Sequence, residues 1–417
     1  VTLLTLFELL VLAGWSSIVL YGFVVSLIGW STKRREAPLI YPRHIFALIV
    51  PVENDEAIIG KTIEHLRRLK YPHNMFEVVI APVNSTDQTT TVARRKGAIV
   101  YGPGNKKWRN RDDAILASLE RLSSKNRFDG FIILDAMARL SANYLNVLSD
   151  KLSKGALVIQ SGYQISGKKW SLETGLRAIL AALSPSWLTG WSVKFRLGGG
   201  GRRIGFCLSR RIIDKYKIRN PAVTDLDDYT FRLLRENVDV TFAAKAKIYD
   251  WSPSLPPVQS LAGRWQTTWH QIRHHALPMI KEGIEWKSMA QVLGGVNAFL
   301  PSFTGVLSIS MFFFVLAAYL HGLSSSISIG WMVLNAILSL FVLLRMIQMQ
   351  SPVIAYATIP MLPFVLWWRA LYSCFIKPEK VVDPIDPPAE AFVHNKRKSR
   401  QRRSPPRHTR RQQPSKP

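Results

Sequence analysis

Apolar residues gather at the two ends of this chain, and that placement limits what it can become. Residues Val1 to Trp30 carry a single charge, Glu8. At helical rise this stretch is long enough to cross a bilayer. It has no basic leading region and no small-residue cleavage site, so it reads as a membrane anchor rather than a signal peptide. A second apolar region, 292–376, holds three candidate spans: Phe303–Leu323, Ile327–Leu344 and Val353–Phe375. Pro360 and Pro363 interrupt the last, so it is expected to be bent, re-entrant or interfacial. The chain is 47% apolar yet carries a net charge of +27. Soluble globular chains seldom combine the two, and the clustering explains how this one does.

Charge sets an expected orientation. Lys33, Arg34 and Arg35 follow the first apolar stretch and place the start of the middle region on the cytoplasmic side. The tail 377–417 ends in "NKRKSRQRRSPPRHTRRQQPSKP", with ten Lys and Arg and no acid. Positive-inside bias keeps that tail in the cytoplasm too. Either one of the three later stretches does not cross, or a span precedes Val1. The tail is too polar to build a core and reads as disordered, with anionic membrane lipid as its partner in preference to nucleic acid. Cys207 and Cys374 lie far apart, offer no disulfide framework or zinc site, and read as buried free thiols.

The middle region, 41–291, has the rhythm of an α/β domain. "IFALIVPV" (Ile45–Val52) is a continuous apolar run, as a strand buried on both faces requires. A helical pattern follows over Asp55–Lys70. "FEVVIAPV" (Phe76–Val83), "AIVYG" and "FIILD" read as further strands, with helices over "STDQTTTVARRKG" and Arg111–Leu122 between them. Repeated strand–helix units predict a mostly parallel sheet flanked by helices. Ligands of such sheets bind beyond the carboxyl ends of the strands, which is where Asp135 falls.

Six stretches carry candidate chemistry. In "LIVPVENDEAIIGKTIEHLRRLKYP", Pro51, Asn54, Asp55 and Glu56 lie between strand and helix; they suit either a nucleotide contact or a helix cap. "VIAPVNSTDQTTTVARRKGA" offers Asn84 and Asp87 in the same two ways. "FIILDAMARLSANYL" ends its strand at Asp135, with Met137 two residues on. "LGGGGRRIGF" brings Gly199 and Gly200, where backbone can approach a ligand closely. "NPAVTDLDDYTFRLL" holds Asp225, Asp227 and Asp228, candidates for a general base. "QSLAGRWQTTWHQ" holds Arg264, which can pair with a diphosphate, and Trp265, which can stack on a sugar. Its bland alternative is an interfacial helix.

In this order, and with apolar segments on both sides, these stretches resemble the membrane-bound family 2 glycosyltransferases, the cellulose and hyaluronan synthase-like group. The likeness runs from Tyr41 to the last apolar segment. It implies a GT-A-like domain over 41–291 that faces the cytoplasm of a cell (inner) membrane, transmembrane helices within 1–30 and 292–376, and a basic tail over 377–417. It also implies inverting transfer of a sugar from a nucleotide-sugar donor to a lipid-linked or polysaccharide acceptor. The resemblance assigns Pro51, Asn54, Asp55, Asn84, Asp87, Asp135 and Arg111 to the nucleotide sugar. Gly199, Gly200, Arg264 and Trp265 go to the acceptor or diphosphate. One of Asp225, Asp227 and Asp228 is the base.

The family also holds a Mg2+ or Mn2+ ion at an Asp-any-Asp motif, which implies Asp135 as a metal ligand. Three positions depart from the family pattern: Val83 and Met137 replace aspartates, and Leu226 falls where the base should stand in the simplest register. A thioether is a poor ligand for a hard cation. The expectation is that any metal takes other ligands, or that Lys106, Lys107, Arg109 and Arg111 assist or replace it. The competing expectation is a catalytically impaired relative serving as a scaffold in envelope polysaccharide assembly.

Overall fold

The computed structural model describes residues 3–30, 41–102, 108, 110–166, 171–182, 205–216, 229, 232–233, 235–236, 238–250, 269, 272–285, 288, 291–292, 295–296, 303–348 and 351–376. Helix α1 (Leu3–Trp30) comes first. The middle region then runs β1 (Phe46–Val52), α2 (Glu56–Arg67), β2 (Phe76–Pro82), α3 (Thr89–Arg95), β3 (Ile99–Val100), α4 (Arg111–Ser123), β4 (Gly130–Ile133), β5 (Ala138–Leu140) and α5 (Tyr144–Ser153). It continues through β6 (Val158–Ile165), α6 (Leu172–Ala182), β7 (Phe206–Ser209), α7 (Arg210–Lys215), β8 (Val240–Asp250) and α8 (Leu277–Glu285). Last come α9 (Phe303–His321), α10 (Ser326–Gln348), α11 (Val353–Ala357) and α12 (Leu362–Phe375).

The described strands form one sheet in the order β3-β2-β1-β4-β7-β6-β8-β5. Every residue of β1 is buried, as its unbroken apolar run predicts. Alternate side chains supply opposite layers: Phe46, Leu48 and Val50 pack with Ile59, Ile63 and Leu66 of α2. Ala47 and Ile49 pack with Ile115, Leu119 and Leu122 of α4 on the other face. Pro51 is tolerated in this central strand for a local reason. The Ile49 carbonyl accepts from Leu134 N on the β4 side, so Pro51, two residues on, also faces that side. The pairing with β4 ends at Ile49 and Ile133, so the missing proline N–H costs no ladder bond.

The sheet is mostly parallel, as expected, with two antiparallel strands. β1, β2, β3 and β4 pair in parallel. β7 lies antiparallel to both β4 and β6, and β5 antiparallel to β8. The reason is that a short strand buried on both faces, as "FCLS" of β7 is, carries the same pattern in either direction. β6 and β8 are parallel to each other across a bulge at Ser161/Gly162. A Cβ on Gly162 would lie 2.9 Å from the Ala244 carbonyl oxygen, so only glycine fits that close approach. Two reversals about β7 leave β8 running in the same direction as β1, with its carboxyl end on the same edge of the sheet.

The apolar ends form a helical layer. One segment among the described residues, Ser326–Leu344, is long and apolar enough to cross a membrane, and Thr5–Leu20 and Val306–His321 are shorter apolar helices. The expected third span is broken: after α11 the chain makes a 3-10 turn, Ile359–Met361, before α12. Pro360 and Pro363 cannot donate the bonds a continuous helix needs there. Of the two thiols, Cys207 is buried in β7, whereas Cys374 is exposed. Cys374 lies on α12, whose Phe364, Trp368, Leu371 and Phe375 are also exposed, so an apolar sequence did not imply protein burial there.

Candidate active site

At the carboxyl ends of β1, β2, β4 and β8 lies a cavity of about 400 Å3. Its walls are Pro51 and Val52 at the end of β1, Glu53 and Asp55 after it, Val83 after β2, Arg111 from α4, Asp135 and Met137 after β4, and Asp250 from β8. The structure therefore brings Pro51, Asp55, Arg111 and Asp135 together. The substituted positions Val83 and Met137 lie in the same walls.

Asn54, Asn84 and Asp87 do not line the cavity; their described bonds build the loops around it. Asn54 and Asn84 take left-handed backbone, φ 53° and 52°, a conformation that asparagine adopts more readily than most residues. Asn54 Oδ1 accepts from Thr86 N at 2.9 Å, and Asn84 Nδ2 donates to the Trp108 carbonyl at 2.8 Å. Asp87 Oδ2 accepts from Glu56 N at 3.1 Å while Glu56 Oε2 accepts from Gln88 N at 3.1 Å. The helix starts of α2 and α3 thus satisfy each other's unpaired N–H groups, as a capping box does within one helix. Asp55, rather than Asn54, is the residue before α2, and it makes no side-chain cap.

Asp55 Oδ2 instead accepts from Glu53 N at 3.0 Å. Burial holds its carboxyl above the ordinary carboxylate range, and the charge of Asp135 raises it further, against the Glu53 N–H and Arg111. Asp87 is held below that range, chiefly by its bond to Thr89.

Asp135 closes a tight turn: Met137 N donates to its Oδ1 at 3.4 Å and Ala138 N to its carbonyl at 3.0 Å. Thr62 of α2 braces the turn by donating to the Ala136 carbonyl at 2.5 Å. Across the sheet, Ala138 pairs with Asp250, and this brings the end of β8 beside the turn. Two ion pairs then meet the cavity. Arg111 Nη2 lies 3.2 Å from Asp135 Oδ2, and Arg177 Nη2 of α6 lies 3.2 Å from Asp250 Oδ1. The Tyr163 hydroxyl donates to Asp250 Oδ2. Arg177 is only 5% exposed, while Arg111 is 47% exposed and faces the cavity.

Sequence reasoning missed Glu53 and Asp250. The signal for Asp250 was the one that marked Asp135: a long strand pattern ending abruptly at an acid, "AKIYD". Asp225, Asp227, Asp228, Leu226, Gly199, Gly200, Arg264, Trp265, Lys106, Lys107 and Arg109 lie outside the described residues. Tyr229, next to Asp228, is buried, and its hydroxyl donates to the Tyr216 carbonyl at 3.2 Å.

Among the described residues, the acids of the cavity wall do not converge on one point as ligands of a hard divalent cation would, and no three His, Cys, Asp or Glu side chains do so. The position two past Asp135 offers a thioether, and both Asp135 and Asp250 carry a guanidinium partner.

No family model and no curated protein matches the sequence. Among solved structures, the chain is similar to a mannosyltransferase from Pyrobaculum calidifontis in complex with GDP-Man and Mn2+. The TM-score is 0.53 at 16% identity, over 87% of this chain and 99% of that one. It is also similar to S. aureus TarS 1-349, with a TM-score of 0.41 at 13% identity over 70% of this chain and 90% of that one. A third is glucosyl-3-phosphoglycerate synthase from Mycobacterium tuberculosis in complex with Mn2+, UDP and glucosyl-3-phosphoglycerate. There the TM-score is 0.38 at 14% identity, over 58% of this chain and 86% of that one. The first of these likenesses shows that the chain has a GT-A-like mixed α/β fold.

Proposed function

We propose that the chain is a membrane glycosyltransferase that moves a sugar from a nucleotide-sugar donor to a lipid-linked or polysaccharide acceptor, with inversion. The observation that carries this reading is the cavity at the carboxyl ends of parallel strands β1, β2 and β4, where carboxylates and an accessible guanidinium converge. That edge is where open α/β sheets bind nucleotides. The loop after β1 offers carboxylates to ribose hydroxyls, and Arg111 offers N–H donors to a diphosphate. The base is one of Asp225, Asp227 and Asp228, as the family resemblance implies. The mannosyltransferase from Pyrobaculum calidifontis is described with GDP-Man and Mn2+; that supports the reaction class, whereas the described donor set of this chain argues against carrying the metal over.

Membrane attachment rests on the apolar helices and on what they leave uncovered. Phe7 and Leu10 of α1, Phe312 and Tyr319 of α9, and Met332 and Leu340 of α10 are exposed. Large uncovered apolar faces of this kind suit lipid. Trp367, Trp368 and Tyr372 on α12 suit the membrane interface. In this reading 41–291 is the catalytic domain on the cytoplasmic face of a cell membrane, 1–30 and 292–376 hold it there, and the basic tail 377–417 binds anionic lipid.

The test uses the full chain in detergent. It is offered nucleotide sugars together with membrane lipid and glycan acceptors, and release of nucleoside diphosphate is followed. Acceptor-dependent release is expected, with one of Asp225→Asn, Asp227→Asn and Asp228→Asn lowering kcat by about a hundredfold or more. Binding of donor without release in any acceptor mixture would turn the reading into that of a scaffold. Absence of donor binding would overturn both.

A further inference from the structure

Resting on the proposed sugar transfer, we infer that the Arg111 guanidinium, held by Asp135, binds the donor diphosphate in the place where a related site would hold a divalent cation. In such transfer the bond from the anomeric carbon to the diphosphate oxygen breaks, and its electron pair leaves on the diphosphate. The acceptor oxygen bonds to the anomeric carbon, and the hydroxyl proton passes to the base. The negative charge that develops on the leaving oxygen needs a fixed positive partner.

The cavity carries that partner as protein. Arg111 is the first residue of α4. A cation there opposes the helix dipole and is disfavoured, while Asp112 and Asp113 beside it follow the usual preference. Helix stability therefore does not account for an arginine at this position. Its ion pair with Asp135 does, and so does its place in the cavity wall. A guanidinium has five N–H donors in a planar fork matched to phosphate oxygens. The Asp135 bond recorded here uses one nitrogen, Nη2.

Two further observations favour this over a cation held by carboxylates. The thioether of Met137 stands in the cavity wall two residues past Asp135. Asp250, the acid at the end of β8, is neutralised by the buried Arg177 and bonded by Tyr163. Asp135 and Asp250, two of the four acids in the cavity wall, are thus already matched by arginines. Asp135 is on this view a positioning residue: it aims Arg111 and does not itself touch the diphosphate.

The test is calorimetric titration of the full chain in detergent with UDP, GDP, CDP and dTDP, in EDTA and again with MnCl2. At least one nucleotide is expected to bind in EDTA, within about twofold of its affinity in Mn2+. Arg111→Met is expected to weaken that binding about tenfold or more, Arg111→Lys less, and Asp135→Asn by an intermediate amount. Asp135→Asn should also raise the donor KM more than it lowers kcat. The double variant Arg111→Met/Met137→Asp is expected to recover binding only when Mn2+ is present. Each variant is first checked for cooperative melting, with Arg111→Gln as the substitute should Arg111→Met not fold. Binding of a nucleotide only in Mn2+, or unchanged binding by Arg111→Met, would overturn the inference and leave sugar transfer standing. No binding of any nucleotide under either condition would overturn both.

Discussion

Asp55 pays for its position in the cavity wall, and that cost is measurable. Burial raises the affinity of its carboxyl for a proton, and Asp135 adds to the effect. A carboxyl whose folded-state value is raised favours the fold while protonated, and the advantage is lost as pH rises through that value. Asp55→Asn keeps an oxygen for the Glu53 N–H but has no charge to bury. It is expected to melt at a higher temperature than the wild type near neutral pH, with the difference shrinking below the ordinary carboxylate range, about pH 4. Thermal melts over a pH series check this. A carboxyl kept at a stability cost marks a site shaped for a ligand, so the same variant is expected to bind nucleotide sugar more weakly. His65 shows the opposite case. Burial lowers its proton affinity, and its Nε2 accepts from Leu140 N at 2.9 Å, so its contribution is present above about pH 6.5 and lost as pH falls.

At the scale of elements, α6 joins the sheet to the helical layer. Its Arg177 reaches Asp250 in the cavity wall, while Ala178 and Ile179 join the apolar cluster of α9 and α10. Gly175 lets α6 approach α11 closely: a Cβ there would lie 2.8 Å from Thr358 Cγ2 and 3.0 Å from the Ile354 carbonyl oxygen. Glycine weakens a helix interior by about 1 kcal/mol relative to alanine, so its presence reflects contact rather than helix preference. Gly175→Leu is expected to lower stability by roughly 1–3 kcal/mol despite the better helix former. A fall in the detergent melting temperature, partly recovered by adding Thr358→Ala, checks it. β7 teaches a related lesson. Its four residues are all buried, and its reversed direction follows from the partners on either side.

Across the whole molecule, a carboxyl–imidazole hydrogen bond ties the first helix to the last region. Glu8 Oε2 of α1 lies 2.8 Å from His321 Nε2 at the end of α9, and Glu8 is 2% exposed. Trp15 Nε1 donates to the Val306 carbonyl at 3.2 Å between the same helices. His321→Ala leaves the buried carboxyl without this partner and is expected to cost on the order of 3 kcal/mol. Glu8→Gln, which keeps a hydrogen bond, should cost less, and Glu8→Leu/His321→Leu should recover most of the loss. Melting in detergent, read for all three, checks the order. The single charge in the first apolar stretch is thus an inter-helix contact across more than 300 residues of sequence.

The sequence by itself determined the strand–helix rhythm, the apolar ends and the importance of the β4 edge. These follow from local periodicity and from strands that stop at polar residues. Pro51, Asp55, Arg111 and Asp135 were legible as a group because each lies at or just past a strand end or at a helix start on that edge. Only the tertiary structure decided the direction of β7 and the arrival of Asp250 beside Asp135. It also separated the cavity residues from Asn54, Asn84 and Asp87, whose bonds build the loops. The physical reason is that pairing partners, and the arginine that neutralises each carboxylate, come from distant elements: Arg111 from α4 and Arg177 from α6. No local pattern records which charge a folded chain will bring to meet another.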